Sequence, residues 1–401
     1  MSVRLDVIHP GESSLISSLM LKKLNAWVHL WFGLVSGIIV IILGVTGCIL
    51  VFEEELKYAL YPWTKAERPA GADYLPPSAL RKAAEEALPG FKLGTVWYKG
   101  DDKAAFFSVR DSDSLIYINP YTADITGIVD HEDFFHFIDE GHRNLWLPHD
   151  VGHQLVGWGT FVFFILLITG LVLWWPKKWN KRGIEQGFKI KWKAKFKRVN
   201  YDLHNVLGFY SLLIAVVLAY TGLMMSFRWF NKSVFWLAGG EVKERSFSFS
   251  DTTKATSSYV LADQVDRAWQ MGLTQIGQYN KRAIISGIPE SIKDPLYICV
   301  DMYNWGWREV YLDQHTLEEL PQTQAKMNEE PVAVWLRRMN YGLHVGEVGG
   351  LPTKIIYFLA SLICASLPVT GFLVWLGKKK KIKKQHLRKT GKTLIAVQPL
   401  N

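Results

Sequence analysis

Val28-His29-Leu30-Trp31-Phe32-Gly33, followed at Thr46-Gly47, is the stretch that decides the fold, because it is written a second time as Leu203-His204-Asn205-Val206-Leu207-Gly208, followed at Thr221-Gly222. In both copies a histidine leads by four residues to a glycine and by 17 residues to a threonine. A looser pair joins them: His142 leads to Thr169-Gly170, and His344 to Thr370-Gly371 with one residue fewer. Internal repetition fixes architecture before any local reading. Here it predicts two similar halves, each a pair of helices carrying one histidine towards each end.

The apolar runs that hold these motifs predict four membrane spans at residues 27–52, 151–175, 203–227 and 352–376. Each is nearly free of charge and longer than the ~20 residues a membrane helix needs. Each also ends abruptly at charge and carries Trp or Tyr near its ends, which buried helices of a soluble core do not require. Averages hide this: the chain of 401 residues is 21% charged and its mean hydropathy is close to zero. The first run has no small-residue cleavage site behind it and reads as a retained anchor.

Charge supplies the orientation. Residues 177–198 hold ten Lys or Arg against the single acid Glu185, and residues 378–392 hold nine with no acid. The first span exits instead into Glu53-Glu54-Glu55. By the positive-inside rule this predicts a cytoplasmic N-terminus (1–26), a basic cytoplasmic loop (176–202) and a basic cytoplasmic tail (377–401). The net charge of +9 then reflects topology and attraction to anionic lipid, and predicts no nucleic-acid partner. The three cysteines, with Cys48 and Cys364 inside spans and Cys299 outside, have neither metal-site spacing nor a disulfide framework. No glycine-rich dinucleotide turn and no phosphate-binding loop follows a strand, so no nicotinamide, flavin or ATP domain is expected. No catalytic nucleophile is assigned.

Two extramembrane segments remain, 53–150 and 228–351, with matching plans. Periodicity predicts a helix over 78–88 and strands over 95–98, 104–109 and 115–119 in the first. The second repeats it with a helix over 260–270 and strands over 283–286, 296–301 and 308–312. Each ends in a related hairpin, Tyr117-Ile118-Asn119-Pro120-Tyr121-Thr122 and Tyr311-Leu312-Asp313-Gln314-His315-Thr316. Two small antiparallel sheets, each covered by one helix, are expected. The fold class is therefore a membrane α-helical bundle of four spans built from two parallel repeats, with two small α+β extracytoplasmic domains.

Parallel repeats imply a twofold axis along the membrane normal. That axis makes His29 and His204 partners at one face and His142 and His344 partners at the other. Two imidazoles facing one another are the axial ligand set of a b-type haem, and helical bundles present ligands inward in this manner. Two haem b groups are expected. The glycine one turn beyond His29 and His204 leaves room for a flat ring, and the Thr-Gly pairs read as close helix packing. At the outer level His131, His136, His149 and His153 crowd the same stretch, and His149 and His153, one helical turn apart, are rival ligands or a metal pair.

These motifs resemble the PepSY-associated transmembrane family, which includes inner-membrane siderophore-iron reductases of the FoxB type. The resemblance rests on residues 28–34, on His142-Arg143-Asn144-Leu145, on residues 202–208, on Leu343-His344-Val345-Gly346, and on Ile168-Thr169-Gly170 and Val369-Thr370-Gly371. It covers nearly the whole chain; His149 and His153 are not part of its pattern. It implies PepSY-like periplasmic domains, two b haems, and outward electron transfer to ferric iron held by a siderophore or other chelator, in the bacterial inner membrane. The donor would be a membrane quinone or a cytoplasmic electron carrier. Arg143, Arg308, Arg337, Arg338, Trp305 and Trp307 offer cationic and aromatic contacts for such a chelate. Rival expectations are an iron or siderophore transporter, and a haem- or metal-binding sensor.

Overall fold

A computed structural model describes residues 10–130, 133–176, 178–241, 247–255, 260–276 and 283–395. The chain divides into two compact units, one made of residues 1–49, 140–227 and 355–401, the other of 50–139 and 228–354.

The first unit is helical. Four helices are long and apolar enough to cross a membrane: Met20–Leu50, His149–Trp174, Phe196–Ser226 and Leu351–Lys379. Their exposed surface is apolar, as at Val35, Ile38, Val172 and Leu213, which suits side chains turned to lipid. Helix approach is set by small residues. Gly44 of the first span lies against Ala365 of the fourth, where an added Cβ would come within 2.8 Å, and Gly159 of the second lies against Ile39 at the same distance. Between the second and third spans, Ala215 and Ala219 pack on Leu167 and Phe163. Small residues substitute here for a hydrophobic drive that lipid cannot supply. The third span is interrupted: Phe196–Asp202 and Gly208–Ser226 are α-helical, while Leu203–Leu207, which contains His204, is a π turn. Such turns concentrate at functional positions.

The second unit corrects the expectation of two sheets. Strands β1 (Leu93–Tyr98), β2 (Ala105–Val109), β3 (Ser114–Ile118) and β4 (Ile125–Asp130) are followed by β5 (Ile284–Ser286), β6 (Leu296–Val300) and β7 (Arg308–Leu312). They form one seven-stranded sheet in the order β4-β3-β2-β1-β5-β6-β7. The two copies join where β1 pairs antiparallel with β5, Trp97 opposite Ile285. A small sheet with an unpaired inner edge is marginal and prone to wrong pairing, and joining the two edges removes both problems. Helices α1 (Pro77–Ala87) and α2 (Leu261–Ile276) contribute Leu80, Ala84, Val265, Ala268, Trp269 and Leu273 to a single core with both halves of the sheet. The hairpins repeat to the residue. The Asn119 N–H bonds the Asp124 carbonyl and the Asp313 N–H bonds the Glu318 carbonyl, while Ala123 and Leu317 both take left-handed backbone angles, φ 62° and 61°.

Candidate functional site

In the helical unit, His29 and His204 line one cavity of about 560 Å³, within the size range of cofactor sites. Its walls are mostly apolar and include Gly33, Gly37, Gly170, Gly208 and Gly371, and Lys378 is the only charged residue among them. The two imidazole ring centres are 6.3 Å apart with planes at 82°. Metal–imidazole bonds of about 2.0 Å on opposite sides of one metal place the ring centres roughly 6 Å apart. Rings so spaced leave room for one metal ion between them.

Hydrogen bonding fixes which nitrogen each ring presents. His29 Nδ1 lies 2.9 Å from Thr169 Oγ1, and that hydroxyl donates its own proton to the Ile165 carbonyl at 3.0 Å. His204 Nδ1 lies 3.0 Å from Thr370 Oγ1 and 3.1 Å from the Leu367 carbonyl, which can only accept. Both rings thus donate from Nδ1 and keep a lone pair on Nε2, the tautomer a metal ligand needs. Glycine completes each seat. A Cβ on Gly170 would lie 3.1 Å from His29 Cε1, and one on Gly371 would lie 3.1 Å from His204 Cε1. One turn before each histidine an asparagine grips the same threonine. Asn25 Nδ2 donates to the Thr169 carbonyl at 3.1 Å, and Asn200 Nδ2 to the Thr370 carbonyl at 3.0 Å. The donor set, the tautomers and the glycine-lined, mostly apolar cavity fit a haem between the two rings.

A third copy of this seat holds His142. Its Nδ1 lies 2.9 Å from Thr46 Oγ1, which donates to the Ile42 carbonyl at 2.7 Å, and a Cβ on Gly47 would lie 3.4 Å from His142 Cε1. His142 ends the helix Phe134–Asn144, and the chain then turns through Leu145 and Trp146 at φ 55° and 56° before the second span begins. Two consecutive non-glycine residues in the left-handed region cost of order 1 kcal/mol each, which argues that this turn is held by its surroundings. The Thr-Gly pairs at 46–47, 169–170 and 370–371 are therefore histidine seats in addition to being small, and not merely helix-packing positions. Sequence reasoning missed this, and it missed Asn25 and Asn200. The signal was present as Asn-x-x-x-His-x-x-x-Gly at residues 25–33 and again at 200–208.

The remaining histidines are placed differently. His149 and His153 stack on one another with ring centres 5.2 Å apart; His149 is exposed, and His153 Nε2 donates to the Ser226 carbonyl at 3.3 Å. Neither sits on a Thr-Gly seat. Among the described residues no three His, Cys, Asp or Glu side chains gather as a metal site. His131 lies outside the described residues, and His136 sits in the first turn of the helix Phe134–Asn144. His344 belongs to the second unit, half-buried in the helix Asn340–Val345, which Gly346 terminates at φ 72°.

Of the six contact residues expected for a chelate, Arg143 is exposed beside His142 in the helical unit. The others lie in the second unit. Arg338 is buried: it pairs with Glu330 at 2.7 Å, bonds the Ala325 carbonyl at 3.0 Å and donates to the Trp307 carbonyl. Arg308 pairs with Glu319 at 2.7 Å and bonds the Gln324 carbonyl. Both guanidiniums are committed to the sheet's own loops. Arg337 lies over the Phe235 ring and bonds Asn231, and the exposed Trp305 bonds the Val348 carbonyl. Trp307 is half-buried under Arg338. Elsewhere in this unit, burial pushes the Cys299 thiol up to about 12, so it stays protonated at neutral pH. Lys99, 2.7 Å from Glu54, holds that carboxyl down at about 2 against the opposing effect of burial.

The curated proteins compared contain no match to this sequence. The family pattern described as the PepSY-associated TM region matches residues 26–378. A chain matched over that length, with four spans in two repeats and a histidine seat on three of them, belongs to the PepSY-associated transmembrane family.

Proposed function

We propose that this protein is a di-haem b membrane electron-transfer protein that reduces ferric iron held by a siderophore or similar chelate at the outer face of the inner membrane. The observation that carries the reading is the pair His29 and His204, two Nδ1–H imidazoles 6.3 Å apart across a glycine-lined cavity. Haem bound there would supply reversible one-electron chemistry in a mostly apolar cavity. Thr169 and Thr370 hold the ligand tautomer, and Lys378 offers a cation to the carboxylates of the bound group. At the other level His142 carries the same threonine seat, and the repeat in the sequence makes His344 its partner. Thr46, which seats His142, lies 17 residues beyond His29 on one helix, about 25 Å along the axis. Two ligand levels so separated span most of the ~30 Å hydrocarbon core, as transmembrane electron transfer requires. Basic flanks at 177–198 and 378–392 put the His29 level at the cytoplasmic side, next to a quinone or cytoplasmic donor. Reduction to Fe(II) weakens binding by hard oxygen ligands and frees the metal.

The test is a visible spectrum of detergent-purified protein before and after dithionite, with haem counted per chain. Two b-type haems, lost stepwise in His29→Ala and His142→Ala, and fast reoxidation by an Fe(III) chelate are expected. A protein that binds no haem defeats the proposal. One that binds haem but ignores ferric chelates is a sensor or carrier.

A further inference from the structure

We propose that Thr169 and Thr370, seated by Asn25 and Asn200, are positioning residues that lock the two inner imidazoles at right angles across a single haem iron. The inference rests on the haem reading above and adds what that reading leaves open, the orientation of the ligand rings.

A histidine ring can normally rotate about its last side-chain bond, where the torsional well is broad and roughly twofold. Here each ring is held at two edges. Its Nδ1 is tied to a threonine hydroxyl, and its Cε1 edge rests on a glycine where an added Cβ would stand only 3.1 Å away. The threonine is itself held. Asn25 precedes His29 by one turn and grips the Thr169 carbonyl, so one turn of the first span holds both ends of one residue in the second. Asn200, His204 and Thr370 repeat the arrangement between the third and fourth spans. Each ring plane therefore follows its own hairpin, and the two hairpins set the planes 82° apart.

Crossed planes have an electronic consequence. A ligand ring donates into the iron π-symmetry orbital perpendicular to its plane. Parallel rings both raise the same orbital and split the pair, while crossed rings raise one each and leave the two nearly equal in energy. A low-spin ferric ion with near-equal orbitals gives a strongly anisotropic magnetic resonance signal, and one with split orbitals gives an ordinary rhombic signal. Hydrogen bonding beyond the ligands is one of the protein's principal controls over haem iron.

The experiment is electron paramagnetic resonance of the oxidised, haem-loaded full-length protein. The signal lost in His29→Ala identifies the inner site. We expect it to be the strongly anisotropic type in the unaltered protein. In Thr169→Val and Thr370→Val it should collapse to a rhombic or heterogeneous signal, and Thr169→Ser and Thr370→Ser, which keep the hydroxyl, should restore it. An inner-site signal of the ordinary rhombic type in the unaltered protein overturns the proposal while leaving haem binding intact. So does an unchanged signal in both valine variants. Should the valine variants not fold, the unaltered protein's own signal decides. Absence of any haem signal in the unaltered protein refutes the haem reading itself.

Discussion

Replacing Gly371 by alanine sets two effects of opposite sign against each other. In a helix interior, alanine is favoured over glycine by about 0.8–1.0 kcal/mol, so the fourth span gains intrinsic helicity. The new methyl, however, would stand 3.1 Å from His204 Cε1 and 3.5 Å from Nδ1. That is tighter than ordinary carbon contact, which lies at about 3.5–4.0 Å. The ring must retreat by a few tenths of an ångström, and it cannot do so freely because its Nδ1 is tied to Thr370 and to the Leu367 carbonyl. Metal sites tolerate roughly ±0.2 Å in ligand distance, and losing a supporting interaction around a ligand typically costs 10–100-fold in affinity. We therefore expect Gly371→Ala to bind haem 10–100-fold more weakly, about 1.4–2.7 kcal/mol, while the haem-free protein unfolds no more readily than the original. Gly170→Ala, with the same 3.1 Å contact to His29, should behave alike.

Gly33→Ala separates the seat from the cavity. Its Cβ meets only Leu166 at 3.9 Å, so it leaves both histidines alone while narrowing the cavity that they share. Haem titration of the haem-free protein in detergent, with occupancy read by the pyridine haemochrome method, gives all three affinities. Equal haem affinity in Gly371→Ala, Gly170→Ala and the original protein would refute the seat as described. Loss in those two with none in Gly33→Ala would confine the effect to the ligands.

Three further outcomes follow from the second unit. Arg338→Ala strands Glu330, whose side chain is 7% exposed, and should destabilise this unit by about 3–5 kcal/mol. Replacing both residues by leucine should recover most of that loss in denaturant unfolding. The Ile284 N–H faces β1, so Ile284→Pro removes a ladder hydrogen bond at the junction of β1 and β5 and should destabilise this unit. Hydrogen exchange should then show β2 and β3 losing protection together with β6 and β7; loss confined to β6 and β7 would mean two independent sheets. Glu54, held down at about 2 beside Lys99, contributes stability that is complete above the unfolded-state value of about 4.3. That contribution fades as pH falls from there towards 2, so thermal unfolding should show an acid slope in that window that is flattened in Lys99→Met.

Much of this architecture was legible in the residues because the governing patterns are local. The strand at 308–312 and the helix near 78–88 were placed within a residue or so, since alternation and 3.6-residue periodicity depend on near neighbours. The joining of β1 to β5 was not legible. An inner-edge strand carries the same alternation whether or not another strand pairs with it, and the pairing spans nearly 190 residues. β4 was missed because Ile125-Thr126-Gly127-Ile128-Val129-Asp130 carries a glycine, which weakens a strand signal. That glycine is there because the Trp63 side chain lies against it. Arg338 read as a contact residue because nothing near it in sequence announces that Glu330 and the Ala325 carbonyl enclose it. The Thr-Gly pairs misled for a related reason. A small residue that admits a neighbouring helix and one that admits an imidazole edge have the same composition.

The spacing within the first span explains why both levels of the bundle are written into one helix. Seventeen residues separate His29 from Thr46, about 4.7 turns, so the two side chains leave the helix roughly 100° apart. One face turns His29 into the cavity it shares with His204; the other turns Thr46 towards His142. The helix is thus a ligand at one level and a seat at the other. Its hairpin partner reverses the roles: Thr169 seats His29 near the end of the second span, while His142 stands just before that span begins. Each hydrogen bond therefore ties the two helices of one hairpin, at both of their ends. The opposition of His29 and His204 links the two hairpins across one cavity. A group held between those rings would add a further tie between hairpins that already pack through Gly44 on Ala365 and through Ala215 and Ala219 on Leu167, so cofactor binding is expected to raise the stability of a bundle that is already assembled.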